Sequence, residues 1–250
     1  MKVYNKKTYS ILFIVSIFLI AGIPLYMYFS DDVSLLNREY PQREMSKDSA
    51  RYKMGYKKPK DWVNFDEISP FVKGAIIVSE DWSFYDHNGV DMSQMKVALE
   101  EMMAGERFRG ASTITQQMVK NVFLSQSRSL WRKVHEIILS YKVEKFVTKK
   151  KILEVYLNCI EFGPGLYGIR AASSHYFRKN PSALSPREAA FLAMLLPSPK
   201  RYYMSFKKKK LTRFAKSRVR AILRKMKVRK IISAGDFDYQ VSTPMTWEVP

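Results

Sequence analysis

The sequence predicts a mainly α protein, on three observations. Between Ser69 and Met226, apolar residues recur at spacings of three and four, as on the buried face of a helix. No convincing run alternates apolar and polar residues with the two-residue period of a half-buried strand. Ser and Thr residues stand just ahead of several periodic stretches, where helix N-caps belong. There is no internal repeat.

The first element is an apolar run from Ile11 to Phe29, preceded by Lys2, Lys6 and Lys7 and free of charge from Thr8 to Ser30. About 20 helical residues cross the roughly 30 Å of a bilayer's hydrocarbon core. Tyr26, Tyr28 and Phe29 suit the far interface, and Asp31 and Asp32 follow it. The positive-inside rule then predicts a cytoplasmic tail at 1–9, one transmembrane anchor at 10–29 and everything later outside. A cleaved signal peptide is the alternative. The run is long for one, and no small-x-small site follows. Residues 30–60 are polar, carry Pro41 and Pro59, and read as a linker to a globular domain at 61–250.

Within that domain, Ser69-Pro70 is an N-cap and first helical residue for a helix ending at Glu80. Ser93 opens a second helix, and a short basic loop spans Gly105 to Gly110. Ser112-Thr113 caps a third, reaching about Leu124. Leu130 to about Val147 forms a longer one, with Val134, Ile137, Ile138 and Tyr141 on one face. Lys150 to Ile160 is helical until Gly163-Pro-Gly165 breaks it. Ile169–Phe177 and Ser185–Leu196 follow, the latter with a near capping box from Ser185 to Glu188. The last predicted helix, Leu211–Met226, is heavily basic.

The formal net charge of +20 suits a polyanionic partner. An anchor with the basic domain outside excludes nucleic acid and leaves anionic lipid or a phosphorylated substrate. The single Cys159 allows no internal disulfide.

Chemistry concentrates in a few segments. Glu80-Asp81-Trp-Ser-Phe84-Tyr-Asp-His87-Asn-Gly89 follows an apolar run. A carboxylate near Val78, Trp82 and Phe84 is a candidate for a raised pKa, as a general base or acid needs. An ordinary surface carboxylate is the alternative. Gly110-Ala-Ser112-Thr113-Ile-Thr-Gln116-Gln117-Met-Val-Lys120-Asn121 takes a glycine loop into a helix, with Arg107 and Arg109 just ahead. Free N–H groups at such a start attract phosphate. The alternative is a structural, N-capped helix, and Walker spacing is absent. Arg132-Lys133-Val-His-Glu136 places two cations and a carboxylate on one turn, as a surface ion pair also would. Lys151 to Asn158 reads mainly as scaffold. His87, His135 and His175 are far apart and lack metal-ligand spacing, so any metal stays unknown.

Taken in order, these segments resemble the family 51 glycosyltransferases, the peptidoglycan glycosyltransferases. Glu80 to Gly89 is similar to that family's E-D-x-x-F-x-x-H-x-G at every fixed place, and Gly110 to Asn121 to its G-x-S-T-x-T-Q-Q-x-x-K-N. Arg132-Lys133-x-x-Glu136 resembles R-K-x-x-E, and Ile152 to Asn158 resembles I-L-E-x-Y-L-N. Glu188 to Ala193 with Pro197 resembles the closing helix. The resemblance covers about 65–205 and weakens after Tyr203, leaving a basic part, 206–250, as a membrane-proximal surface. No room remains for a transpeptidase domain.

The resemblance implies a lysozyme-like helical fold with a small membrane-associated subdomain, for which the Met-rich stretch 90–110 is the counterpart. It implies polymerisation of lipid II by a single-pass enzyme on the outer face of the cytoplasmic membrane. Glu80 is then the general base and Glu136 the second essential carboxylate, either orienting the nearby cations or holding a divalent ion on the pyrophosphate. Lys120, Arg132, Lys133 and Arg109 hold the pyrophosphate. Ser112, Thr113, Gln116, Gln117, Asn121, Phe84 and His87 bind substrate. No cofactor is required, and a divalent cation, Mg or Mn, is compatible with the pyrophosphate. Partners are lipid II, the growing lipid-linked glycan, the outer leaflet, and cell-wall synthesis or division proteins. A lytic glycosidase and a non-catalytic scaffold are the competing readings.

Overall fold

The computed structural model describes residues 22–45, 50–105, 110, 112–125 and 129–248. Most of the predicted anchor, and Arg109, lie outside these. Helix α1, Ile23–Ser30, is the described end of the apolar run. No helix among the described residues is long and apolar enough to cross a membrane.

The predominance of helix holds. Ser69 accepts a hydrogen bond from the Phe71 amide and, with Pro70 at the first position, starts α2, Pro70–Glu80. Helix α3 is Met92–Met103, and its cap is Asp91, not Ser93. Burial pushes the Asp91 carboxyl up, but hydrogen bonds from Ser83, Ser93 and the Gln94 amide outweigh that and hold it at about 2. Helix α4, Ile114–Val122, carries a full capping box between Thr113 and Gln116. Helices α5, Leu130–Phe146, and α6, Lys149–Cys159, follow. Then come α7, Ile169–Phe177, and α8, Pro186–Leu195, with its own capping box from Ser185 to Glu188. The short α9, Pro199–Tyr202, and α10, Met204–Lys207, lead to α11, Arg213–Val228, and α12, Ala234–Ser242.

Two helical groups make the core. Helices α2, α8 and α11 pack on one another, and α4 packs on α5 and α6. Helix α8 is buried along its whole length, with Ala189, Ala190 and Ala193 allowing close approach. The end of α2 meets α4 where the two groups join.

Four expectations are corrected. The stretch predicted as a linker is built into the domain. Val33 and Leu36 are fully buried, and an antiparallel hairpin pairs β1, Tyr40–Met45, with β2, Ala50–Gly55. Its second strand turns Ala50, Tyr52 and Met54 toward the domain and Arg51 and Lys53 to solvent, a period-2 run of only five residues that was missed in the sequence. Its attachment is tertiary: Tyr52 donates to the Cys159 carbonyl at 2.6 Å, and the Tyr40 and Trp62 rings meet edge to face. A second short hairpin, β3 (Glu161–Gly163) with β4 (Leu166–Tyr167), fills the predicted break.

The buried face of α5 is also rotated from the expected one. Glu136, Leu139, Ser140 and Val143 point inward, while Val134 and Tyr141 are exposed. Paired cations let Glu136 enter the interior, carrying the helix round with it. Finally, the basic C-terminal helix is no mere surface. Helix α11 buries Ala215, Val219, Ile222, Leu223 and Met226, and α12 beyond it was not expected.

Candidate active site

Helix α2 ends at Glu80 because Asp81 turns extended, with φ −157°, after donating its amide to the Ile77 carbonyl at 2.9 Å. The loop that follows returns on itself and presses against α5. Gly89 sits there at φ 90°, and a Cβ would lie 2.6 Å from the Ser140 carbonyl oxygen. Glycine at this position lets the loop that follows Glu80 approach the helix bearing Glu136.

Asp81 is the organiser of this corner. One carboxylate oxygen is 2.9 Å from His87 Nε2, and the other accepts the Ile114 amide at 2.9 Å. The Gly89 amide donates to His87 Nδ1 at 3.2 Å, which assigns the ring proton to Nε2. His87 therefore holds Asp81 in place.

The start of α4 is already satisfied from within the chain. Asp81 takes the first amide of the helix, and the Thr113 hydroxyl takes that of Gln116 while donating to the Gly89 carbonyl at 2.6 Å. The Gln116 side chain returns to the Thr113 amide at 3.0 Å. Thr113 and Gln116 are 2% and 1% exposed. The expected phosphate cradle at this helix start is thus filled by a carboxylate of the protein itself. Phe84 is another departure: it is fully buried, beneath the Lys149 ammonium.

The other residues of α4 face chemistry. Gln117 donates to Glu80 Oε2 at 3.0 Å and accepts the Tyr156 hydroxyl at 3.0 Å. Burial raises the Glu80 carboxyl above its ordinary range, with the Gln117 and Ser79 hydrogen bonds and the charges of Arg218 and Lys225 acting the other way. Burial also raises the Tyr156 hydroxyl well above its usual value, so it stays a donor.

One turn further along α4, Lys120 feels the charge of both glutamates. Desolvation lowers its ammonium; Glu136 and, more weakly, Glu80 support the charge, and Arg132 and Lys133 oppose it. No carboxylate of the described residues is within ion-pair distance of Lys120. Glu136 is 2% exposed and fully engaged. Arg132 Nη1 is 2.7 Å from one of its oxygens, and Lys133 Nζ pairs with the other while reaching Ser112 Oγ at 3.2 Å. The surface ion pair that this turn also allowed is therefore a cluster around a buried carboxylate, with Arg132 and Lys133 half-buried at its edge.

Beside Lys120 opens a cavity of about 390 Å³ lined in part by Asn121, Tyr52, Glu161, Tyr167 and Lys200. The structure thus brings together Glu80, Gln117, Lys120, Glu136, Arg132, Lys133 and Ser112, with Asn121 at the cavity edge. It turns Thr113, Gln116, Phe84 and His87 to structural work. Tyr156, Arg218 and Lys225 were missed as neighbours of Glu80. Tyr156 was legible only as a core position in Ile152–Asn158, and nothing local tied the basic C-terminal helix to α2. Among the described residues, no group of three or more His, Cys, Asp or Glu converges on a metal site, and both Glu136 oxygens are taken by cations. The described side chains do not fit a resident cation.

Among the described residues, the arrangement sets a desolvated carboxylate within electrostatic reach of an ammonium without a carboxylate ion-pair partner, near a cluster of two cations on one carboxylate that keeps a net positive charge. It is suited to deprotonating a hydroxyl next to an anionic group. The family model described as transglycosylase matches residues 47–227. A biosynthetic peptidoglycan transglycosylase of Aromatoleum aromaticum is 46% identical over 147 residues, covering 58% of this chain and 64% of that protein. One from Shewanella amazonensis is 48% identical over 141 residues, covering 56% and 58%. One from Bdellovibrio bacteriovorus is 44% identical over 143 residues, covering 57% of each. The chain spans about three fifths of the length of these curated relatives. With most of its residues under the family model, the chain belongs to the transglycosylase family.

Proposed function

We propose that this protein polymerises peptidoglycan glycan chains from lipid II, with Glu80 as general base. The observation that carries this reading is Lys120, an ammonium with no carboxylate ion-pair partner among the described residues, within electrostatic reach of the desolvated Glu80 and of Glu136 in the Arg132–Lys133 cluster. A lytic enzyme cleaving neutral glycan has no use for such cations. A transferase expelling pyrophosphate needs them.

Glu80 takes the proton of the acceptor sugar's 4-OH as that oxygen attacks the donor's anomeric carbon. The attack comes from the face opposite the pyrophosphate, so an α-linkage becomes β-1,4. General-base assistance of this kind is worth about 10²–10⁴-fold. The Gln117 amide holds the carboxylate in one orientation, and the Tyr156 hydroxyl fixes that amide. Lys120, Arg132 and Lys133 take up charge on the departing undecaprenyl pyrophosphate. Arg109 joins them in this reading. Glu136 keeps Arg132 and Lys133 paired and aimed.

The lipid tail of such a substrate requires the site to lie at the outer surface of the cytoplasmic membrane. We place the apolar run before Ser30 in the bilayer as a single-pass anchor. The exposed Met92, Met102 and Met103 of α3, with the exposed Leu130 and Trp131 of α5, make the surface that rests on it. A lysozyme-like lobe then stands above this face. Cell-wall synthesis or division proteins are the partners this location offers.

The test is incubation of the full chain with purified lipid II. Polymer and released undecaprenyl pyrophosphate are expected, and digestion of finished sacculi without polymer would overturn the reading.

A further inference from the structure

The flank of α11 that faces α2 carries Arg218 and Lys225, and Arg229 follows just past the helix end. Two of these cations grip the backbone on either side of Glu80. Lys225 Nζ donates to the Val78 carbonyl at 3.0 Å, two residues before it. Arg229 Nη2 donates to the Trp82 carbonyl at 2.7 Å, two residues after it. The Arg229 guanidinium also lies over the Trp82 ring, 4.3 Å from its centre.

The physical logic is that of a helix end. Val78 belongs to the last turn of α2, whose carbonyls have no partner within the helix and carry the negative end of its dipole. Cations belong there, and an arginine stacked on an aromatic ring is held more firmly than a lysine in solvent. Glu80 is in that same turn, where fraying would displace it.

We infer that Arg229 and Lys225 are positioning residues that clamp the junction of α2 and its loop, so that Glu80 is held against Gln117. This assigns a role to the basic C-terminal part, and Arg229 lies beyond the stretch matched by the family model. The inference rests on the reading of Glu80 as the base.

The groups facing Glu80 set what a pH profile will report. They are Gln117 and Lys120 from α4, Tyr156 from α6, Arg218 and Lys225 from α11, and Ser79 and Asp81 beside it in the chain. The two clamping residues separate cleanly. Arg229 acts by geometry, whereas Lys225 also contributes charge that favours the ionised Glu80.

The experiment is lipid II polymerisation by the full chain, with kcat and KM measured across pH for Arg229→Ala, Arg229→Lys, Lys225→Met and, alongside, Glu80→Gln. Arg229→Ala should lose about tenfold in kcat with KM nearly unchanged, since misplacing a base costs the chemical step. Arg229→Lys, which keeps a donor but not the planar stack, should recover part of that loss. Lys225→Met should move the acid limb of kcat/KM to higher pH, and a merely structural role would leave that limb in place. Thermal unfolding accompanies each variant. If Arg229→Ala has no folded transition, Arg229→Lys and Lys225→Met decide the matter. Wild-type kcat and an unmoved acid limb in these variants, with Glu80→Gln inactive, would overturn the clamp alone. An active Glu80→Gln would overturn the base and the clamp together.

Discussion

The carboxylate of Asp81 occupies the N-terminus of α4, its oxygen 2.9 Å from the amide of Ile114. The anion that this helix start was expected to take from a substrate comes instead from the residue next to the proposed base. One side chain thereby ties the loop after α2 to the helix that carries Gln117 and Lys120. Replacing Asp81 with Asn should cost about 2 kcal/mol of stability, the scale for a buried hydrogen bond to a charged group. Urea unfolding measures it. Wild-type stability with a much weaker KM for lipid II would return Asp81 to the substrate.

Thr113 provides the matching control. Its side chain closes the capping box and reaches the Gly89 carbonyl. Thr113→Ala should destabilise by about 1 kcal/mol, typical of a lost N-cap. Its KM should stay near wild type, and steady-state kinetics beside the unfolding curve would expose the reverse pattern.

The pH dependence of kcat/KM should be bell-shaped. Glu80 must be ionised to accept a proton, and burial raises its pKa, so the acid limb should lie above the usual glutamate value of about 4.3. Lys120 must be charged to hold phosphate, and desolvation lowers its pKa, so the basic limb should lie below the usual lysine value of about 10.4. Lys120→Arg should push the basic limb upward. An unchanged limb would assign it to another group.

Glu80 should also reveal itself in stability. A carboxyl whose pKa is raised by folding binds its proton more tightly in the native state. Stability is therefore lost as pH rises from the ordinary carboxylate range through the folded pKa. At neutral pH the charged form is a burden, so Glu80→Gln should raise the melting temperature while abolishing polymerisation. Calorimetry at pH 7 would settle the sign, and a lowered melting temperature would contradict a desolvated base.

Glu136 should behave in the opposite way. Its carboxylate is buried and bridges Arg132 and Lys133, offsetting one of their two charges. Glu136→Gln removes the shared partner of two partly exposed cations and should cost about 2 kcal/mol, the scale for a hydrogen bond to a charged group, together with activity. Chemical denaturation giving wild-type stability would mean the cluster is solvated.

The positions of α2, α7 and α8 were legible in the sequence because local chemistry sets them. Ser69-Pro70 and Ser185-Pro186 cap their helices, and the apolar spacing that follows fills one face. The β1–β2 hairpin was missed because its alternation, Ala50 to Met54, is only five residues long and its partner strand has none, so its pairing rests on contacts such as Tyr52 with the Cys159 carbonyl. Glu80, Lys120 and Glu136 were legible as residues of unusual segments. Their roles relative to Thr113, Gln116, Phe84 and His87 were not, since a polar side chain near a helix start reads the same whether it binds a ligand or caps the helix.

What the sequence determined by itself was the helical architecture and the set of residues from which a site is made. Both follow from short-range effects: periodic burial, caps and the company each residue keeps along the chain. Only the tertiary structure decided that Asp81 fills the start of α4, that Gln117 and Tyr156 hold Glu80, and that Arg229 and Lys225 reach back to its helix. Those contacts join residues 33 to 147 positions apart. Desolvation and charge at such a distance along the chain exist only once the two helical groups have packed.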